Sequence, residues 1–127
     1  MGLKEKQALA GLDVSWSEKS LKSSTGKDIK IELDAATFND DMDAIMLVDQ
    51  KGAMAAANGV SKLCYNDIGK EAFNELKVFI VKLINHKEEG AKKIVIADGV
   101  MELHGTWGDK NDYLSESEIK EALENML

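Results

Sequence analysis

Asp98-Gly99 sits between two apolar runs, Ile94-Val95-Ile96-Ala97 and Val100-Met101-Glu102-Leu103-His104. An Asp-Gly pair tolerates φ > 0 at both central positions of a type I′ turn, the turn whose twist matches that of two paired strands. The segment therefore predicts a β-hairpin, with strands near 93–97 and 100–107. A polar stretch and a capping-box pattern, Ser115-Glu116-Ser117-Glu118, follow it. That pattern opens a C-terminal helix near 116–126, with Ile119, Ala122, Leu123 and Met126 turned inward. A hairpin running into a terminal helix points to an α+β fold.

Upstream, Asp28 to Leu33 alternates Ile29, Ile31 and Leu33 with Lys30 and Glu32. A period of two marks a strand with one face on the core and one in water. Too short to stand alone, this strand near 28–33 is expected to join the hairpin in a small antiparallel sheet. Residues 68–87 read as one long helix, because Ala72, Phe73, Leu76, Phe79, Ile80, Leu83 and Ile84 recur at spacings of three and four behind Asp67 as a cap. Residues 3–12 suggest a short helix. Ser15-Trp16-Ser17-Glu18 suggests a second capping box, with Trp16 and Leu21 as inward anchors.

Residues 37–66 admit two readings. One is a pair of helices: the first capped by Thr37 with Phe38, Met42, Ile45 and Met46 on one face, the second from Gly52 to Cys64. The other is a second hairpin turning at Gln50-Lys51-Gly52. Four alanines within Ala53–Ala57 favour the helices, since alanine is depleted in strands.

A chain of 127 residues fits one domain, 1–127, and can bury roughly two thirds of its unfolded surface. No apolar run is long enough to cross a bilayer, and charged residues interrupt the first twelve positions, against a secretory signal. Cys64 is the only cysteine, so no internal disulfide forms. These features predict a soluble, cytoplasmic protein. All 16 basic residues are lysine, set against 23 acidic ones for a net charge of −7. Without arginine's planar fork or a basic footprint, duplex nucleic acid and anionic membranes are poor partners. The acidic surface suits a protein partner instead, possible self-association as a homodimer included.

The segment from Asp109 to Glu118 resembles the exit half of an EF-hand calcium loop, with Asp109, Asn111, Ser115 and Glu118 at oxygen-donor positions before a helix. The resemblance implies a Ca²⁺ site there. It departs at the first position, which falls on Trp107, and at the sixth, where Asp112 replaces the turn glycine. Asp40 and Asp43, one helical turn apart, form a second acidic pair that would suit Mg²⁺, although no phosphate-cradling loop accompanies them. Helix capping and the helix dipole explain the same residues without a metal.

Cys64, His86 and His104 are the conventional nucleophile and imidazole candidates, but their spacing matches no nucleophile motif. Cys64 falls on an apolar helix face, the usual place for an inert thiol. His86 falls at the end of the expected long helix, and His104 on the strand face away from Met101 and Leu103. Trp107, Tyr113 and Leu114 would mark a partner-contact patch if they cluster at the surface. The residues point away from an enzyme and without a cofactor of their own. The reading is a small acidic interaction or regulatory protein, the alternative a Ca²⁺- or Mg²⁺-binding module or minimal metal-dependent enzyme.

Overall fold

The structure, a computed structural model, describes residues 2–127. Its strands are β1 (Lys30–Leu33), β2 (Ile80–Asn85), β3 (Lys93–Ala97) and β4 (Val100–Gly105). Its helices are α1 (Leu3–Ala10), α2 (Ser15–Thr25), α3 (Met42–Val48), α4 (Ala55–Leu63), α5 (Asp67–Glu75) and α6 (Glu116–Met126). A 3₁₀ turn spans Ala35–Phe38, and a π-helical stretch, Asp49–Met54, joins α3 to α4 in one helical path. The α+β class read from the sequence holds.

The turn at Asp98-Gly99 has φ of 54° and 81°, the left-handed pair that a type I′ hairpin requires, and β3 and β4 pair antiparallel across it. The Ser115 capping box also forms: Ser115 Oγ accepts from the Glu118 amide at 3.2 Å, and Glu118 Oε1 accepts from the Ser115 amide at 3.0 Å. Residues 42–63 are helical, which decides between the two readings of that region. Asp41 rather than Thr37 caps α3, accepting from the Ala44 amide at 3.2 Å.

The expected long helix over 68–87 is corrected. It stops after Glu75, Lys77 adopts a left-handed φ of 53°, and the chain re-enters as strand β2. The apolar spacing that imitates a helix is produced by a strand with apolar residues on both faces. Val81 and Leu83 point into the core, while Ile80 and Ile84 point the other way. The β-branched density of Val78, Ile80 and Val81 suits an extended backbone better than a helix. Phe79, at the rim before β2, is 57% exposed.

This extra strand also changes the sheet. The order is β1-β2-β4-β3, with β1–β2 and β2–β4 parallel and only β3–β4 antiparallel. The sheet is mixed, not the antiparallel one expected. Parallel neighbours need a long crossover, and residues 34–79, helices α3 to α5 included, supply the one between β1 and β2.

One hydrophobic cluster joins the sheet to the helices: Val81, Leu83, Met101, Leu103, Ile31 and Ile94 against Leu21, Ile45, Val60, Phe73, Ile119 and Leu123. Helices α4 and α6 approach closely at Gly59, where a Cβ would lie 2.7 Å from Ile119 Cγ2 and 3.0 Å from the Glu116 carbonyl. Two local expectations near the N-terminus are also corrected. Trp16 is 54% exposed rather than an inward anchor. No Ser15 capping box forms, because Asp13 takes the Ser15 amide at 2.9 Å and Glu18 Oε2 accepts from the Ile31 amide of β1 at 2.9 Å. Glu18 thereby occupies a backbone donor of an edge strand that would otherwise be open to pairing.

Candidate functional site

The sheet is covered on one side only. Along β2 and β4 buried residues alternate with half-buried ones: Val81, Leu83, Met101 and Leu103 face the helices, while Ile80, Lys82, Ile84, Val100, Glu102 and His104 face away. The register aligns this outward face in three rows. Lys30, Ile80, Val100 and Ala97 form the first; Glu32, Lys82, Glu102 and Val95 the second; Ile84, His104 and Lys93 the third. Along the two central strands Ile80 and Val100 on one side and Ile84 on the other thus flank the charged pair Lys82 and Glu102.

Beyond the third row His86 follows β2, its amide bonded to the Gly105 carbonyl at 2.9 Å. Its ring meets that of His104, with Nε2 of His86 2.8 Å from Nδ1 of His104 and the ring centroids 5.1 Å apart. On the far side of His104, Nε2 lies 3.1 Å from Glu102 Oε1. A carboxylate only accepts, so a neutral His104 carries its proton on Nε2 and offers a lone pair at Nδ1. His86 must then donate from Nε2, which leaves its own Nδ1 as the free basic nitrogen of the chain. Burial lowers the pKa of His86 from its ordinary value, helped by the neighbouring His104 and Lys93, so its neutral form is favoured. The helix end expected at His86 does not exist, since the residue follows a strand.

A second feature lies beyond the carboxyl end of β2, at the edge of the helical layer. Asp40, Asp41, Met42, Asp43, Lys87 and Asp109 line a cleft of about 300 Å³. The fold therefore unites two acidic segments that are far apart in sequence. Asn85, buried at the end of β2, supports it: its Nδ2 donates to Asp41 Oδ2 at 2.8 Å and to the Thr37 carbonyl at 3.2 Å, and its Oδ1 accepts from the Trp107 amide at 3.3 Å. Asp41 is thus committed to Ala44 and Asn85. Among the described residues, no group of three or more His, Cys, Asp or Glu side chains closes on a single point as a metal cage would.

The four residues of the expected calcium loop do not converge. Asp109 turns to the acidic cleft. Asn111 Oδ1 accepts from Lys51 Nζ at 2.8 Å, and that ammonium also sits 5.3 Å from the centre of the Tyr113 ring. Ser115 and Glu118 are bound to each other in the capping box, and Lys92 lies 3.9 Å from Glu118. The Ser115 amide lowers the pKa of the Glu118 carboxyl, which is a structural function for the charge. Nor does the expected contact patch assemble. Trp107 is 1% exposed, stacked on Phe38 with ring centroids 6.4 Å apart, while Tyr113 and Leu114 are half-buried against the core.

Cys64 is buried at the end of α4, and burial raises the pKa of its thiol, the opposite of nucleophilic activation. Of the three catalytic candidates only the two histidines meet. Sequence reasoning missed their pairing because it placed His86 on a helix; the alternation Ile80-Lys82-Ile84-His86 was the signal for a common strand face. No protein-family model, curated protein or solved structure matches this chain. Among the described residues no helix is long and apolar enough to cross a membrane.

Proposed function

We propose that this protein is a non-catalytic interaction module whose bare sheet face pairs with the same face of a second copy. The observation that carries this reading is a largely parallel sheet with only one face covered. All-parallel sheets occur almost always with cover on both sides, and on the bare face of this largely parallel one the two central strands present Ile80, Ile84 and Val100 around Lys82 and Glu102. A second sheet stacked at about 10 Å would supply the missing layer.

Charge favours a second copy as that layer. The chain carries −7, so two molecules repel over most of their surfaces. The bare face is nearly balanced, with Lys30, Lys82 and Lys93 against Glu32 and Glu102. In its middle row Lys82 stands between Glu32 and Glu102, a pattern able to complement itself about a two-fold axis.

Light scattering coupled to size exclusion, run over a range of protein concentrations, tests the reading. Wild type is expected to move from monomer to dimer by high micromolar concentration, and Ile84→Lys to stay monomeric with an unchanged circular dichroism spectrum. A wild-type protein that stays monomeric throughout, or an Ile84→Lys variant that still dimerises, would overturn it.

A further inference from the structure

We propose that His86 and His104, with Glu102 behind them, form a binding site for a borderline transition-metal ion of the Zn²⁺ or Ni²⁺ type. Imidazole nitrogens suit these ions, whereas Ca²⁺ and Mg²⁺ require oxygen ligands. The site is thus distinct in chemistry and place from the acidic cleft and the 109–118 turn.

Three features of the geometry support it. First, the two facing nitrogens, His86 Nε2 and His104 Nδ1, are 2.8 Å apart. Two imidazole ligands at ordinary zinc distances in a tetrahedral arrangement are separated by roughly 3.3 Å, so the pair must open by about half an ångström and each ring must tilt by roughly 35° for both lone pairs to meet at the ion. Second, Glu102 accepts from the far nitrogen of His104 at 3.1 Å. A carboxylate in that position holds a metal-binding imidazole in the tautomer that frees its other nitrogen and raises its basicity. Third, the two rings come from adjacent strands of one sheet, β4 and the end of β2, so their spacing is set by strand pairing and not by a mobile loop.

The exchange balances without any co-reactant. The metal takes the place of the proton between the rings, and His86 regains one N–H by protonation at Nδ1, its free nitrogen. Both imidazoles stay neutral and Glu102 keeps its charge. Only two side chains reach the ion, so in the monomer water completes its coordination sphere. Lys93, paired with His104 across the β3–β4 ladder, is a cation near the pair and opposes binding. The half-buried setting that keeps His86 neutral works in the ion's favour.

The inference does not depend on dimerisation; because a second copy would cover the His104 row, the protein is kept at concentrations where it is monomeric. It is tested by calorimetric titration of the untagged protein with ZnCl₂ near neutral pH, alongside NMR of the imidazole nitrogens. One zinc per chain is expected. His86→Ala and His104→Ala should each abolish saturable binding. Glu102→Gln, which can donate as well as accept and so no longer fixes the tautomer, should weaken it by about 10- to 100-fold. On the wild-type protein, zinc should move the His86 proton from Nε2 to Nδ1, a readout independent of whether the variants fold. The inference is overturned if zinc binding does not saturate, persists in either alanine variant, or leaves the His86 tautomer unchanged.

Discussion

Neighbouring side chains of β2 live in different surroundings. Val81 and Leu83 are fully buried under the helices, whereas Ile80, Lys82 and Ile84, each one residue away, keep part of their surface in water. The same holds across β4, where Met101 and Leu103 are buried and Val100, Glu102 and His104 are not. The covered face is apolar apart from Asn85 at the end of β2, and closely packed, as a core must be. The bare face mixes isoleucine and valine with lysine, glutamate and histidine, including both histidines of the chain. Stability resides on the first face, and the groups free to meet a ligand or another molecule are on the second.

Leu83→Ala against Ile84→Ala tests that division most severely. Removing the Leu83 side chain opens a cavity among Val81, Met101 and the helices and should cost about 2–5 kcal/mol in denaturant unfolding. Ile84→Ala, measured at concentrations where the protein is monomeric, should cost below about 1.5 kcal/mol, because much less apolar area leaves water at that position. Equal losses would mean that the two faces are equally covered. Asn85 ends the same strand on the covered side and ties Thr37, Asp41 and the Trp107 amide together. Asn85→Ala leaves those partners unsatisfied and should cost about 1–3 kcal/mol, with near-ultraviolet circular dichroism reporting a loosened Trp107.

The two faces also explain which parts of the fold were legible in the sequence. Wherever a strand has one apolar and one polar face, as in Lys30–Leu33, the period of two appears plainly, and the Asp98-Gly99 turn and the Ser115 cap are local chemical signals that no tertiary contact diverts, as β1 diverts Glu18 from the Ser15 pattern. Strand β2 carries apolar residues on both faces, Ile80 and Ile84 outward and Val81 and Leu83 inward, so Phe79, Ile80, Leu83 and Ile84 fall at helical spacing by coincidence. Misreading it removed the central strand, turned a mixed sheet into an antiparallel one, and separated His86 from His104. Trp107 was misplaced for another reason: a tryptophan in a polar stretch looks half-exposed until the stacked Phe38, nearly seventy residues upstream, is folded over it. The acidic cleft was legible only in halves, because Asp40-Asp43 and Asp109 meet through tertiary structure alone.

A smaller effect is expected at the helical layer that covers the core. Ser115→Ala removes the hydroxyl that accepts from the Glu118 amide and should destabilise α6 by about 1 kcal/mol. Helix α6 packs on α4 and not on the bare face, so hydrogen exchange should quicken in residues 116–120 while the His86 and Glu102 amides keep their protection. Equal quickening at both places would show that the two faces loosen together.

The smallest effect is one of pH, and it belongs to the bare face alone. Burial, with the charges of His104 and Lys93, lowers the pKa of His86 in the folded protein below its ordinary value near 6.5. The unfolded chain therefore binds that proton more tightly, and acid favours unfolding. The stability linked to His86 is complete above the unfolded value and declines as pH falls through it, levelling once the folded group is itself protonated. Asp112 and Glu118, whose carboxyl pKa values are lowered chiefly by the Gly90 and Ser115 amides, add their own loss only in the carboxylate range, well below that window. Denaturant midpoints compared at about pH 7.5 and 5.5 should therefore drop in wild type and drop less in His86→Gln. A midpoint that rises on acidification would mean that Glu102, reaching His86 through His104, outweighs burial and Lys93, and that the three-residue chain holds its extra proton more firmly folded than unfolded.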